Sequence, residues 1–426
     1  MSDSNAVAVP TIAPTTPTAS SNGMKFVLFC VFIDMLAIGL AVPVLPLLLS
    51  DYVSGKDEQA MWYGIMAAVF GLMQFFFMPI LGALSDKIGR KPVLMISMIG
   101  MSINFFATAW APTLAALFIG RVIGGACSAS MSVASAYASD VSTADNRAKT
   151  FGLIGAAFGL GFICGPMLGG FLGEISKTLP FIVGGSICVA NAIFGYIFLK
   201  ESLPLDRRSP FSLKRANPFS SLARLGQRKD IRGLIIVYAL CAAAQMLQHS
   251  TWVLYTNFRF GWGPKENGVA LFFVGLTAAV VQAGLLAMLI KRFGEVKLSL
   301  LGLASGAIVA VGYGLATQGW MMYALIVANM LAFAAGPALQ GIISKGTDPK
   351  EQGALMGSLQ SLSSVATIIM PIAGTALLAK VSHYPPTDFR AGATFFVCAL
   401  LQAVAVYVAW KYFKSHPQKA ETNHAT

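Results

Sequence analysis

Apolar residues run along this chain in long stretches, interrupted at intervals by short polar segments. A helix rises 1.5 Å per residue, so about 20 apolar residues cross a hydrocarbon core of about 30 Å. Reading the runs between polar breaks predicts twelve spans, near 25–49, 61–84, 92–110, 112–139, 150–173, 179–199, 233–257, 267–290, 297–316, 319–343, 353–379 and 391–413. The longest polar interval, Glu201 to Arg232, is basic, contains Pro204, Pro210 and Pro218, and divides the spans six and six. The predicted organisation is a tail over 1–24, a six-helix bundle over 25–200, a linker over 201–232, a second six-helix bundle over 233–414 and a tail over 415–426. The first 24 residues are rich in Ser, Thr, Pro and Ala, lack the charged start and early apolar core of a cleavable signal peptide, and read as a disordered tail.

Composition agrees with an all-α membrane protein. Of the 426 residues 56% are hydrophobic and 11% charged, against about 25% charged in soluble domains. The net charge of +12 would suit nucleic acid if the basic residues formed a patch, but they are distributed by face. With the N-terminus inside, the cytoplasmic loops and both tails hold 23 of the 30 Lys and Arg, and six fall on the other face. That asymmetry predicts both termini in the cytoplasm, with no nucleic-acid partner. The six cysteines lie within or at the ends of apolar runs without CxxC spacing, and read as packing residues rather than a disulfide or metal site.

A shift of 205 residues lays "GALSDKIGRKP" (82–92) over "AMLIKRFGEVK" (287–297), pairing Gly89 with Gly294. Both copies fall between the second and third spans of their half. Two related six-helix halves with a substrate site between them is an architecture expected of transporters.

The stretch GALSDKIGRKPV (82–93) resembles the loop signature of the major facilitator superfamily through Gly82, Asp86, Gly89, Arg90 and Lys91. Asp86 stands at one helix end, Gly89 permits a tight turn, and Arg90 and Lys91 anchor the loop at the inner face. "GRVIGG" (120–125) is similar to that family's fourth-span motif, and "GLGFICGPMLGG" (159–170) to the fifth-span motif of its antiporters. In the latter, Gly159, Gly161, Gly165, Gly169 and Gly170 would allow close helix approach and Pro166 a bend. Several stretches further resemble the bacterial tetracycline/proton antiporters, among them "IDMLAIGLAVPVLPLLL" (33–49), "WVLYTNFRFGW" (252–262) and "QGALMGSLQSL" (352–362). The resemblance implies the major facilitator fold in a bacterial cytoplasmic membrane, a loop latch joined by Asp140 and Arg147, and proton coupling. The chain departs from those pumps where they carry acids in the third and ninth spans, having Asn104 and Gly306, and "GLTAAVVQAG" (275–284) lacks their eighth-span histidine. Tetracycline is therefore not carried over as the substrate, and proton coupling would use fewer groups.

Two charges lie inside spans. Asp34 and Arg121 each stand about nine residues from a span end, roughly 14 Å deep, so the two could meet. Either they form a static ion pair, or Asp34 takes up a proton in one conformation and releases it in another. In the seventh span Gln245, Gln248 or His249, and Trp252 form one helical stripe, read as substrate contact. Asn104, Asn329 and Gln340 are further polar candidates, with Gln74, Asn191, Gln282 and Gln360 behind them. No HExxH, GxSxG or phosphate-binding GK[ST] sequence points to an enzyme. The leading expectation is a monomeric, cofactor-free and metal-free exporter that exchanges a small amphipathic organic compound for protons. A proton-independent facilitator or importer of a metabolite is the competing reading.

Overall fold

The computed structural model describes residues 21–416 except 143–145, 212–218, 229–230, 346 and 348–350. Residues 1–20 and 417–426 of the two expected tails lie outside the described residues, whereas Ser21 to Met24 already belong to the first helix. The first half of the chain forms α1 (Ser21–Ala41), a short α2 (Leu45–Leu48), α3 (Lys56–Ile88), α4 (Arg90–Ala109), α5 (Leu114–Cys127), α6 (Ser130–Val141), α7 (Arg147–Ile175) and α8 (Leu179–Phe198). A connecting helix α9 (Phe219–Gln227) leads to α10 (Arg232–Phe260), α11 (Pro264–Ala279), α12 (Leu286–Leu315), α13 (Gly319–Ala328), α14 (Met330–Lys345), α15 (Gln352–Val381) and α16 (Ala393–Ser415).

Among the described residues ten helical stretches are long and apolar enough to cross a membrane, and α13 with α14, bent by 41°, makes an eleventh. One of the ten, Pro264–Leu315, runs for 52 residues and contains two of the expected spans. Within it Gly294 has φ 73° and ψ 157°, and between α3 and α4 Gly89 has φ 107° and ψ 160°. An L side chain rarely adopts that backbone, so glycine is what permits the reversal at both ends of the 205-residue shift. The expected fourth span, 112–139, is broken at Ser128 and Ala129 between α5 and α6, and the tenth is broken at Asn329.

Side chains such as Ile99, Leu160, Ile193, Ile308, Leu400 and Trp410 stay exposed along the outer faces, as hydrocarbon rather than water permits. Inside, α1 packs along α7 and α8, α4 along α5 and α8, α10 along α15 and α16, and α12 along α14 and α16. The first set of helices is joined to the second chiefly by α3 with α15 and α7 with α11, and by smaller contacts of α2 and α3 with α10.

The two sets meet unevenly along their length. At the end away from Gly89, Leu47, Ala60 and Tyr63 share one apolar cluster with Trp252, Tyr255, Tyr313 and Phe395. Lys56 stands 5.4 Å from the Phe258 ring and Lys265 5.9 Å from the Phe171 ring, both across the same seam. At the Gly89 end the cluster around Val93 and Val133 stays within the first set, and the cluster around Leu234 and Ile343 within the second.

Candidate functional site

Three groups of residues make up the candidate site, the first at the α3–α4 turn. Gly89 brings Arg90 back under the end of α3, where its guanidinium meets Asp86 Oδ1 at 2.5 Å and Asp140 Oδ2 of α6 at 3.0 Å and donates to Ser85 Oγ at 2.7 Å. The expected cluster of Asp86, Arg90 and Asp140 is thus assembled. Lys91 donates to the Tyr196 carbonyl, and a Cβ on Gly82 would lie 3.8 Å from Ser132 Oγ of α6. Arg147 opens α7, and its side chain lies outside the described residues.

Sequence reading assigned Glu201 to the linker and missed its part here. Its carboxylate accepts from the backbone N–H groups of Arg90 and Lys91 at 2.8 and 3.1 Å, satisfying donors at the start of α4. A Cβ on Gly89 would meet that carboxylate and, at 2.9 Å, the Arg208 guanidinium. The residues following α8 are therefore fastened to the turn.

The second group is the glycine-rich face of α7. A Cβ on Gly165 would lie 2.7 Å from Gly39 Cα, and one on Gly161 2.8 Å from Met35 Cβ, so these glycines admit α1. A Cβ on Gly170 would lie 2.6 Å from the Pro264 carbonyl and 3.0 Å from Gly268 Cα, so this one admits α11. Gly169 lies against Leu40, and a Cβ on Gly268 would lie 2.5 Å from the Pro166 carbonyl oxygen. Gly159 differs, since nothing lies within 4 Å of a Cβ there.

The third group lies in the middle of the helices. Asp34 is buried at 3% exposure, among Cys30, Cys188 and Ser130, and its Oδ1 has no hydrogen-bond partner. Arg121 does not pair with it, and no ion pair joins the two among the described residues. The guanidinium instead lies over the Phe70 ring at 4.4 Å, beside Tyr63, with Nε buried and unpartnered.

Of the α10 stripe, Gln245 and His249 are exposed and Gln248 is half-buried. A polar side chain so far along a membrane helix faces an internal space rather than lipid. Trp252 corrects the expected stripe. It is buried in the apolar cluster, edge-on to Tyr313 at 5.3 Å, and does not share that open face.

Asn104 is buried between α4 and α5, filling the space beside Gly124, so it too leaves the open face. Asn329 sits at the α13–α14 break with Oδ1 unpartnered, and Gln340 is exposed on α14. At Gly306 a Cβ would meet the Gln402 amide oxygen of α16. Gln402 escaped sequence reading because a single polar residue on a long apolar helix carries no pattern. Among the described residues no group of His, Cys, Asp and Glu has the geometry to hold a metal ion.

Comparison with known proteins agrees with this arrangement. The sequence profile of the Major Facilitator Superfamily matches residues 27–365 and 288–426. The chain is 36% identical over 360 residues to the tetracycline resistance protein, class C, of Escherichia coli, covering 84% of this chain and 90% of that one. It is 32% identical over 399 residues to the class H protein of Pasteurella multocida, covering 92% and 97%. The crystal structure of the nucleoside transporter NupG superposes with a TM-score of 0.75 at 12% identity, over 92% of this chain and 99% of that one. The chain therefore belongs to the Major Facilitator Superfamily, as a multi-pass transporter of the bacterial inner membrane that is similar to the tetracycline resistance proteins and is not an enzyme.

Proposed function

We propose that this protein exports a small amphipathic organic compound in exchange for protons, by alternating access between two six-helix halves. The observation that carries the proposal is Asp34, a carboxyl buried in the membrane with one oxygen unpartnered and, among the described residues, no ion-pair partner. An ionised carboxylate there would be costly, on the order of 2.5–3.5 kcal/mol on insertion scales. A proton relieves that cost, and a change of surroundings releases it again.

Twelve crossings fit this reading. Pro264–Leu315 would measure roughly 78 Å as one straight helix, more than twice the hydrocarbon core, and Gly294 interrupts it where two crossings would turn. The basic loops favour an orientation with the Gly89 end and both termini in the cytoplasm. The apolar seam at the opposite end and the separate clusters at the Gly89 end then correspond to an inward-facing state. Asp86, Arg90 and Asp140, which in that state pair only within the first half, would serve as a cytoplasmic latch when the Gly89 end closes, with the α7–α11 contact as a pivot.

The competing reading, a proton-independent facilitator, draws on the absence of acids at Asn104 and Gly306. Proteoliposomes loaded with a panel of dyes, tetracyclines and small metabolites separate the two. Substrate addition is expected to drive proton movement in the wild type and not in Asp34→Asn. Uphill, uncoupler-sensitive transport by the variant would overturn the assignment of Asp34, and transport without proton flux by the wild type would establish the facilitator.

A further inference from the structure

We infer that the Arg121 guanidinium, framed by Phe70 and Tyr63, binds the anionic group of the transported compound, so that the substrate class is an amphipathic aromatic carboxylate. The inference rests on the transporter reading above. Neither Asp34 nor Arg121 has an ion-pair partner among the described residues, but they are not equivalent. A carboxylic acid relieves its burial by taking up a proton, whereas a guanidinium stays charged and offers five N–H donors that only acceptors satisfy. Among the described residues no carboxylate supplies them, and Nε is buried without a partner.

The surroundings fit a ligand rather than a lost internal partner. Tyr63, Ala67, Phe70 and Gln74 lie on one face of α3 at helical spacing, all half-buried. Arg121 Cζ lies 4.4 Å from the centre of the Phe70 ring, a cation–π contact that uses no N–H donor and leaves the guanidinium able to make bidentate contact with a carboxylate. Gln74 is already engaged, donating to Ser128 at 3.1 Å. Exposed Gln245 and His249 on α10 supply polar surface in the other half.

The test measures binding, without a proton gradient, of 2-naphthoate and of its neutral isostere 2-naphthamide to the full-length protein. The wild type is expected to prefer the carboxylate at least tenfold, Arg121→Lys to keep part of that preference, and Arg121→Gln to lose it while still binding the amide. Retained amide binding shows the variant to be folded. Equal affinities in the wild type, no binding of either compound, or a preference surviving in Arg121→Gln would each overturn the inference. If Arg121 serves only Asp34, the effect of Arg121→Gln will be the same for both compounds and will vanish in an Asp34→Asn background. A carboxylate preference without proton flux leaves this site standing and removes the antiport reading, so the two fail separately.

Independent geometry assigns a gating role to Glu295 and Lys345. Adding 205 to Asp86, Arg90 and Asp140 gives Lys291, Glu295 and Lys345, so the charge at each position is reversed. The buried member is Arg90 at 8% exposure in one copy and Glu295 at 7% in the other. Each follows a glycine of positive φ, and each meets its partner at 3.0 Å, Arg90 with Asp140 and Glu295 with Lys345. Position, burial and pairing recur while sign does not, so what the turn requires is the pair.

Glu295→Gln is expected to lower turnover at least fivefold with substrate affinity and melting temperature unchanged, and the exchange Glu295→Lys with Lys345→Glu to restore at least half of it. Unchanged turnover in the single variant overturns the role. So does a loss that appears in melting temperature rather than turnover, or an exchange that rescues nothing although the protein melts as the wild type does.

Discussion

At the scale of single residues, one helix holds glycines whose replacement should have opposite signs. Gly165 and Gly159 share α7 and the same motif, yet only Gly165 touches another backbone, with Gly39 Cα 2.7 Å from where its Cβ would be. Nothing occupies the 4 Å around a Cβ on Gly159. Alanine costs less backbone entropy than glycine in a helix, by about 0.5–1 kcal/mol. Gly159→Ala should therefore raise the melting temperature in detergent or leave it unchanged. Gly165→Ala must push α1 away and should lower stability by about 1–3 kcal/mol, the usual range for overpacking. Thermal unfolding of the two variants beside the wild type checks this, and a Gly165→Ala protein as stable as Gly159→Ala would show that the α1–α7 approach is looser than these contacts. Spacing alone could not make the distinction, because a glycine on the packed face and one on the open face look alike in a string.

At the scale of elements, the sequence was most legible where hydrophobic length decides the matter. Most of every expected span is helical, because no other element satisfies its backbone within hydrocarbon without a partner strand. Breaks were less legible. The fourth span divides at Ser128 and the tenth at Asn329, at small polar residues that fit a continuous helix equally well in sequence. The turn motif was legible through Gly89 and Arg90, since a positive φ and a charge under a helix end are strongly typed demands. The carboxylate that completes it, Glu201, comes from 111 residues away in the chain, and no local pattern announces a tertiary partner. The same limit applies to Asp34 and Arg121. Their similar depth suggested a meeting, but depth is one coordinate, and rotation about the helix axes sends the guanidinium to Phe70 instead. Trp252 fails for a related reason, since a stripe at 3.6-residue spacing spreads wide enough for one edge to reach the apolar seam while the other faces open space.

At the scale of the whole molecule, the difference between its two ends sets how the central residues are reached. Leu47, Ala60 and Tyr63 close against Trp252, Tyr255 and Phe395 at one end, and burial of such apolar surface contributes about 25 cal/mol per Å². At the Gly89 end the apolar clusters keep to their own sides, so the seam opposes entry from one face only. His249 lies on α10 between these ends and is exposed. Replaced by cysteine, it reports which face communicates with the centre. The natural cysteines provide a low background, with Cys30, Cys188 and Cys398 buried and Cys127, Cys164 and Cys241 half-buried. A membrane-impermeant maleimide is expected to label His249→Cys in inside-out vesicles several-fold faster than in right-side-out ones, with wild-type vesicles labelled slowly in both. Adding a transported compound should narrow that ratio if the halves rock, because closing the Gly89 end must open the seam. Faster labelling from the outer face, or equal labelling from both before any compound is added, would mean that the apolar seam is not the barrier and that the resting protein opens outward.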